Sequence, residues 1–205
     1  MSPSPSTLAT TAPLVLASAS PHRLALMRAA GLDPEALPSG VDERAVEEAL
    51  GGELGPADLA EMLAETKAVD VSPRRVGAFT VGADQVMELG GTVLHKVADM
   101  EGARRRLLEL RGQTHRLHTA HAIARDGRVL ERHSEIAEVT MRPYSPAEVG
   151  EVMALAGEAA LGSVGAYQVE GPGLRLIERI EGDHFAVIGL SMLPLLAGLR
   201  RHGAI

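Results

Sequence analysis

The chain has 205 residues, of which 45% are hydrophobic and 23% are charged, as in ordinary globular proteins. Its formal net charge of −7 argues against polymeric nucleic acid as a partner, because binding a phosphate backbone needs clustered positive charge. The absence of cysteine excludes disulfides, thiolate catalysis and cysteine-based zinc sites, and it fits a cytoplasmic location. No apolar run approaches the roughly 18 residues of a membrane span, so no membrane association is expected.

The first residues differ in composition from the rest of the chain. Residues 1–13 are rich in serine, threonine and proline and are predicted to form a disordered leader. They lack the basic and long apolar segments of a signal peptide. Residues 14–205 show no repeat and no convincing linker, and they are predicted to form a single domain.

The first predicted strand, Leu14–Ala17, is followed by a segment that could bind an anion. A helix is predicted to begin at Pro21 with Ser20 as its N-cap, and backbone N–H groups at a helix N-terminus attract negative charge. Ser18 and Ser20 add hydroxyl groups, and Arg23 can make a bidentate contact with a phosphate. The alternative is that this segment is only a well-capped helix.

The remaining elements alternate irregularly between helices and strands. Helices are expected around 44–50 and over 56–69, 100–110, a segment starting at 145, and about 191–201. Strands are expected over 76–83, 92–94, 113–124, 129–142, 174–180 and 185–188. Turn residues at Asp126-Gly127 and at 181–183 predict two antiparallel hairpins. The predicted fold class is therefore mixed α/β.

Several charged residues lie where they could contact a ligand. Asp84 is predicted to end a buried strand, where α/β folds place ligands, and a carboxylate there binds a hard metal or orients water. Alternatively, Asp84 caps the following turn. Asp42 and Glu43 offer further oxygen ligands in an unpatterned loop, although exposed acidic pairs are common. Lys67 and Lys96 are either point-charge phosphate binders or solvated surface lysines.

The eight histidines do not predict a zinc site. His115, His118 and His121 are spaced by three along a predicted strand, where residues three apart face opposite sides. A metal shared by all three is therefore not expected. The glycine-rich segment 170–173 lacks the lysine of a phosphate-binding loop, and it is predicted to form a tight loop that could border a ligand.

The motifs taken together resemble the Maf family over residues 14–202. The resemblance rests on LASASPHR, Asp42-Glu43, LAETKA, VGADQV, Lys96, LRGQTHRLHTA, GAYQVEGPG and IEGDHFAVIGL, which occur in the order of that family. It implies an elongated, twisted mixed sheet with flanking helices and two lobes around a central cleft, in a Maf/ITPase-like α/β fold. It also implies hydrolysis of nucleoside triphosphates between the α- and β-phosphates, a divalent cation (Mg²⁺ or Mn²⁺), and a homodimer.

The resemblance also assigns roles to individual residues. Asp84 matches the proposed proton acceptor for the attacking water, and Asp84 and Glu43 are the expected metal ligands. The expected substrate-binding residues are Ser18, Ser20, His22, Arg23, Lys67, Gln85, Lys96 and Glu170. These roles agree with phosphoryl transfer, which needs charge neutralisation, positioning and an activated water.

Some residues depart from the family pattern. His22 replaces an arginine and leaves a weaker, pH-dependent positive charge. Gln85 stands where threonine is commoner, and Ser163 lies where a lysine is frequent. Glu170 resembles the subgroup that prefers 7-methylguanosine triphosphate, whereas Tyr167 resembles the subgroup that prefers dTTP and UTP, so the base specificity stays open. The alternative function is a catalytically weak nucleotide-binding regulator of cell division and septum formation.

Overall fold

A seven-stranded mixed sheet forms the framework of the protein in a computed structural model that describes residues 10–49 and 54–205. The strands are β1 (Leu14–Leu16), β2 (Glu35–Ala36), β3 (Phe79–Leu89), β4 (Thr92–Leu94), β5 (Thr114–Arg125), β6 (Arg128–Met141) and β7 (Ile177–Glu181). Their order is β2-β1-β3-β5-β6-β7, and β4 pairs with β3. β1 lies parallel to both β2 and β3, whereas the other pairs are antiparallel. The predicted mixed α/β class is confirmed.

Seven α-helices flank the sheet in the described residues. They are α1 (Pro21–Ala29), α2 (Glu43–Ala49), α3 (Pro56–Val71), α4 (Met100–Leu110), α5 (Pro146–Ala156), α6 (His184–Ile188) and α7 (Met192–Arg201), with 3₁₀ turns over 72–74, 157–162 and 172–176. Local capping residues account for the starts of several of these helices. The Ser20 hydroxyl accepts from the backbone N–H of Arg23, and Ser145 and Glu148 form a reciprocal capping box. The predicted end of the helix around 44–50, Leu50, lies outside the described residues.

The prediction that a strand ends at Asp84 is wrong. β3 continues to Leu89, and Asp84 lies in its middle, opposite Ala120 of β5. Glycine and aspartate are poor strand formers and therefore suggested an end. The strand continues because both of its edges are paired: β5 lies along one side as far as Glu88, and β4 pairs with residues 87–89.

The second predicted hairpin is also wrong in its second half. Residues 177–181 form β7 and pair with β6, but the segment expected as a strand over 185–188 is helix α6. The carboxylate of Asp183 accepts from the backbone N–H groups of Phe185 and Ala186 and caps this helix. A short apolar run has no periodicity that distinguishes a buried strand from a helix.

Two separate apolar clusters form the largest cores within the described residues. One joins α4, α5 and the loop after α5 to β5 and β6, with Leu107, Leu110, Val139, Val149 and Tyr167 among its buried members. The other joins α1 and α7 to β1 and β3, with Leu16, Met27, Val81, Leu195 and Leu199 among its buried members.

The ends of the described chain meet at the second cluster. The backbone N–H of Thr11 donates to the carbonyl of Ala204 over 3.0 Å, and the carbonyl of Pro13 accepts from Phe79. Residues 11–13 of the predicted leader thus contact the fold, while residues 1–9 lie outside the described part. Among the described residues, no helix combines the length and apolarity needed to cross a bilayer.

Close contact between α3 and β3 depends on a glycine. A Cβ atom at Gly82 would meet the Ala64 carbonyl oxygen and would lie 2.8 Å from the Ala68 Cβ. Only a residue without a side chain allows the helix to approach the strand this closely. This approach brings the helix position occupied by Lys67 next to Asp84.

Gly82→Ala should lower the free energy of unfolding by about 2–3 kcal/mol, because the added methyl group meets helix backbone that cannot move aside easily. Gly150→Ala is the matched control: this glycine lies in α5, and its Cβ would meet nothing within 4 Å. The control should raise stability by about 0.5–1 kcal/mol through helix propensity. Urea unfolding of both variants measures the difference, and equal effects would contradict the proposed close contact.

Candidate functional site

A cleft of about 510 Å³ contains the predicted site residues. It lies between the start of α1, helices α2 and α3, strand β3, the connection from β4 to α4, and the loop over 162–170. The residues to which the resemblance assigned a role all line it: Ser18, Ser20, His22, Arg23, Glu43, Lys67, Asp84, Gln85, Lys96 and Glu170. Asp42, offered as a further oxygen ligand, is not among the lining residues, and its carboxylate accepts from the backbone N–H of Ala45. The structure thus brings together residues from distant parts of the chain, while their individual roles stay predictions.

The Lys67 ammonium lies between two carboxylates at the floor of the cleft. Its Nζ donates to Oδ1 of Asp84 and lies 2.5 Å from Oε1 of Glu43. The side chains of Lys67 and Asp84 are only 7% and 8% exposed. Two buried charges of opposite sign compensate each other's desolvation, so Lys67 is not the solvated surface lysine that was one interpretation of the sequence.

The charges around this pair shift the pKa values of the ionisable groups beside it. Desolvation raises the pKa of Glu43. The charge of Lys67 and its hydrogen bond, together with the charges of Lys96 and Arg23, outweigh this effect and bring the pKa below its usual value. Desolvation and the positive charge of Arg23 lower the pKa of Lys96, while Glu43 and Asp84 oppose this shift. The cleft therefore holds cationic groups close enough to affect one another, as a polyanion site requires.

Arg23 is fixed by contacts with the protein on two sides. Its Nε donates to the carbonyl of Gly189 over 2.8 Å, and its Nη1 donates to the carbonyl of Ala83 and to the Ser18 hydroxyl. Burial lowers its pKa, and attraction to Asp84 opposes that shift; the guanidinium stays charged throughout the physiological range. Arg23 thus joins α1 to β3 and presents a positioned charge to the cleft.

Gln85 fastens α6 to the sheet. Its amide nitrogen donates to the carbonyls of Ala186 and Val187 and to the hydroxyl of Thr119, which itself donates to Ala186. The amide nitrogen is therefore engaged by the protein, which leaves the amide oxygen as the group available for a substrate. Thr119, which the sequence analysis did not single out, belongs to the same network.

His22 contacts the loop on the other side of the cleft. Its Nδ1 lies 2.7 Å from Oε1 of Glu170, and its Nε2 lies 3.1 Å from Nε2 of Gln168. Both ring nitrogens are thus engaged by protein side chains, whereas the sequence suggested a phosphate contact through this residue. Gln168 was not predicted, and its neighbour in the motif, Glu170, was the only signal for it.

Arg106 is a third residue that the sequence did not identify as part of the site. Its Nη1 donates to the carbonyl of Val164 over 2.9 Å and to the carbonyl of His95 over 3.2 Å. The first carbonyl belongs to the loop of Glu170 and the second directly precedes Lys96. The Arg106 side chain of α4 therefore connects two walls of the cleft through backbone carbonyls. No local pattern distinguishes it from its neighbours Arg104 and Arg105.

Buried polar contacts hold the loop over 162–170 against the sheet. The hydroxyl of Tyr167 lies 2.7 Å from Nε2 of His115, and the Ser163 hydroxyl donates to the Tyr167 carbonyl. Burial and the charge of Arg106 lower the pKa of His115 to about 4. His115 is therefore neutral near pH 7 and acts as a hydrogen-bonding partner of the loop.

The three histidines of β5 have different neighbours. His115 contacts Tyr167, His118 lies 2.9 Å from Oε2 of Glu88, and the ring of His121 lies 5.4 Å from that of His133. No group of three or more histidine and acidic residues is arranged to hold a metal within the part of the chain that the structure describes.

Known proteins resemble the chain over nearly its whole length. The model of a family described as Maf-like protein matches residues 13–202. A 7-methyl-GTP pyrophosphatase of Mesorhizobium japonicum is 55% identical over 94% of this chain and 97% of its own length. One of Brucella abortus is 50% identical over 95% and 98%. A nucleoside triphosphate pyrophosphatase of Caulobacter vibrioides is 45% identical over 94% and 97%.

The stability of the protein should fall below pH 6.5 because of its buried histidines. Burial and the neighbouring His133 lower the pKa of His121 to about 4. Between pH 6.5 and about pH 4, the imidazole of His121 binds a proton in the unfolded chain but not in the folded one. As the pH falls through this range, His121 therefore lowers the free energy of unfolding by up to about 1.4 kcal/mol per pH unit.

His121→Leu should therefore reduce this slope by about 1 kcal/mol per pH unit between pH 6 and 5. The exposed His184 gives the matched control, His184→Leu, which should leave the slope unchanged. Urea unfolding at several pH values measures the slopes. An unaltered slope in His121→Leu would show that this histidine takes up its proton in the folded state as readily as in the unfolded one.

Proposed function

The chain belongs to the Maf family, and we propose that it hydrolyses nucleoside triphosphates to a nucleoside monophosphate and pyrophosphate. The observation that carries this proposal is the buried Asp84 carboxylate on a cleft floor surrounded by Lys67, Lys96 and Arg23. Cationic groups can bind the negative charges of a triphosphate, and a carboxylate among them can accept a proton from the attacking water. The pyrophosphatase names of the relatives support the same reaction.

Asp84 acts as the proton acceptor in this proposal. Lys67 contacts its Oδ1, and within the described residues no hydrogen bond is made to Oδ2, which can accept one from water. The water attacks the α-phosphorus, its proton passes to the carboxylate, and the bond to the bridging oxygen breaks so that pyrophosphate leaves. Positioned proton acceptors of this kind accelerate reactions by about 10²–10⁴-fold.

Cationic side chains neutralise the triphosphate. Arg23 is held by two backbone carbonyls, so its charge is already oriented before the substrate binds. Lys96 lines the same cleft, close enough for the charge of Arg23 to lower its pKa, and Ser18 contributes a hydroxyl that already accepts from Arg23. These groups bind the negative charges of the phosphates and stabilise the charge that moves onto the leaving pyrophosphate.

A divalent cation, Mg²⁺ or Mn²⁺, fits the donors present. Lys67 contacts one oxygen of each carboxylate, Oε1 of Glu43 and Oδ1 of Asp84, so the second oxygens, Oε2 and Oδ2, are the ones that would hold the cation, and hard cations prefer oxygen ligands. Mg²⁺ is commonly held by one or two carboxylates together with substrate phosphates, which matches the small number of protein ligands here. Bound at these residues, the cation would neutralise phosphate charge.

7-Methyl-GTP is the first substrate to test, because the relatives at 55% and 50% identity carry that name. The cleft contains an apolar part suited to a base, formed by Val164, Tyr167, Val169 and Val187. We further propose that the protein acts in the cytoplasm as a homodimer, a state that light scattering on the purified protein would test.

Asp84→Asn should lower kcat for pyrophosphate release by about 10²–10⁴-fold, because an amide cannot accept the proton of water. The measurement is a panel of standard and N7-methylated nucleoside triphosphates, with Mg²⁺ or Mn²⁺ and with the metal removed by chelation. Asp33→Asn is the control, since Asp33 pairs with Arg28 and is 66% exposed.

The same panel separates the alternatives. Wild-type turnover of no triphosphate, together with tight nucleotide binding, would favour the regulatory alternative over the enzyme. Full activity of Asp84→Asn would show that another group accepts the proton. Full activity after chelation would remove the divalent cation from the proposal.

Arg106→Met should raise KM by about tenfold with a smaller effect on kcat, because two hydrogen bonds from a charged group are lost and the two walls of the cleft are released. Arg105→Met is the matched control on the next residue, whose side chain is 69% exposed. If both variants have the same KM, the contacts of Arg106 do not position the substrate.

A further inference from the structure

Helix α2 forms a wall of the cleft but has little apolar packing of its own. Within the described residues no α2 side chain is fully buried, and Val46 is its one contact with an apolar cluster. Charged groups hold the helix instead: Glu43 lies 2.5 Å from the Lys67 ammonium, and Glu47 lies 3.6 Å from Nε2 of His95. Residues four apart lie on one helix face, so both contacts hold the same face of α2 toward the cleft.

The acidic residues of the cleft all have partners. Four carboxylates line it, and each lies within ion-pair distance of a lysine or histidine nitrogen, in the pairs Glu43–Lys67, Asp84–Lys67, Glu47–His95 and Glu170–His22. Two arginines and Lys96 line the cleft as well. Arg23 donates to backbone carbonyls and to a hydroxyl, which are uncharged acceptors. The positive charges outside the carboxylate pairs are therefore available for an anion.

The second of these arginines, Arg44, has no role in the reaction described so far. Its side chain is exposed, it lines the cleft, and it directly follows Glu43 in α2. Within residues 10–49 and 54–205 its side chain makes no ion pair and no hydrogen bond. A guanidinium has five N–H donors in a planar fork, which can bind two phosphate oxygens at once. Arg44 thus offers the cleft a cationic group that the described protein does not itself engage.

The geometry of the reaction places the leaving group away from the floor of the cleft. Asp84 is buried at the floor, and the water whose proton it accepts must lie beside it. In phosphoryl transfer the attacking and leaving oxygens lie roughly in line on opposite sides of the phosphorus. Pyrophosphate therefore departs on the side away from Asp84, toward the exposed residues of the walls. Arg44 is such a residue, whereas Arg23 contacts the carbonyl that directly precedes Asp84.

We propose that Arg44 is a further substrate-binding residue, which contacts the two distal phosphates and stabilises the negative charge of the leaving pyrophosphate. This inference rests on the proposed function for the reaction, and it adds a charge from α2 to those of Arg23 and Lys96. When the bond between the α-phosphorus and the bridging oxygen breaks, its electron pair passes to that oxygen. The guanidinium donates hydrogen bonds to the resulting pyrophosphate and keeps its own protons.

Inorganic pyrophosphate is the probe, because it carries these two phosphates without a nucleoside. Arg44→Gln should raise its Kd, measured by calorimetry with Mg²⁺ present, by about tenfold, because a charged bidentate contact is lost. Arg44→Lys keeps the charge without the planar fork and should raise the Kd by about threefold. Arg128→Gln is the matched control, since it removes the same charge at an exposed site outside the cleft and should leave the Kd unchanged.

Three results of this titration would overturn the proposal. They are no binding of pyrophosphate by the wild-type protein, the same Kd in Arg44→Gln as in the wild type, and an equal rise in Arg44→Gln and Arg128→Gln. Arg44 is exposed and supports no core contact, so its variants should fold as the wild type does. Far-ultraviolet circular dichroism of each variant checks this, and a changed spectrum in Arg44→Gln would show a structural role instead.

The guanidinium itself distinguishes direct contact from an indirect effect. The Nε–Hε signal of Arg44 in nitrogen-15 spectra, assigned by its loss in Arg44→Gln, should shift when pyrophosphate is added to the wild-type protein. An unchanged signal at saturating pyrophosphate would contradict the proposed contact. Neither measurement depends on turnover. A protein that binds pyrophosphate through Arg44 but releases none from any nucleoside triphosphate would contradict the proposed function and leave the binding role of Arg44 in place.

Discussion

The ion pair between Lys67 and Asp84 is the interaction on which the site depends. It places two opposite charges at the junction of α3 and β3, where little solvent reaches them. The pair forms because Gly82 lets the helix lie directly on the strand two residues before Asp84. Packing and chemistry are therefore linked: a substitution that lifts α3 from the sheet also separates the lysine from the carboxylate.

The other walls of the cleft are held by side chains that bind backbone carbonyls. Arg23 reaches Ala83 and Gly189, Gln85 reaches Ala186, and Arg106 reaches Val164. Such contacts connect α1, β3 and α4 to the backbone of β3, of α6 and of the loop over 162–170. They use part of the hydrogen-bonding capacity of residues that line the cleft. Because these side chains are already held by the protein, the site is ordered before the substrate binds.

Much of the fold was predictable because its signals are local. Ser20-Pro21 and Ser145 mark helix starts, and Asp126-Gly127 has positive φ at both positions of the β5–β6 turn. The strand that contains Asp84 was predicted too short, since pairing with β4 and β5 overrides the weak strand propensity of glycine and aspartate. Helix α6 was predicted as a strand, because the four consecutive apolar residues over 185–188 show neither helical nor strand periodicity.

The site was predictable as a set of residues but not as a set of contacts. Motif resemblance identified the residues that line the cleft, including Lys67 and Asp84. The partners of His22 lie 146 and 148 positions away, and the carbonyl bound by Arg106 lies 58 positions away. Long-range contacts of this kind depend on how the sheet and the loops pack, and no short pattern encodes them.

The meeting of the two chain ends, noted at Thr11 and Ala204, has a consequence for connectivity. Because Thr11 and Ala204 share a backbone hydrogen bond, a short linker could join these two positions, and new termini could be opened at the exposed Asp126 of the β5–β6 turn. Such a circular permutant would keep the contacts of the cleft. The order of the elements along the chain is thus separable from the arrangement in space that forms the site.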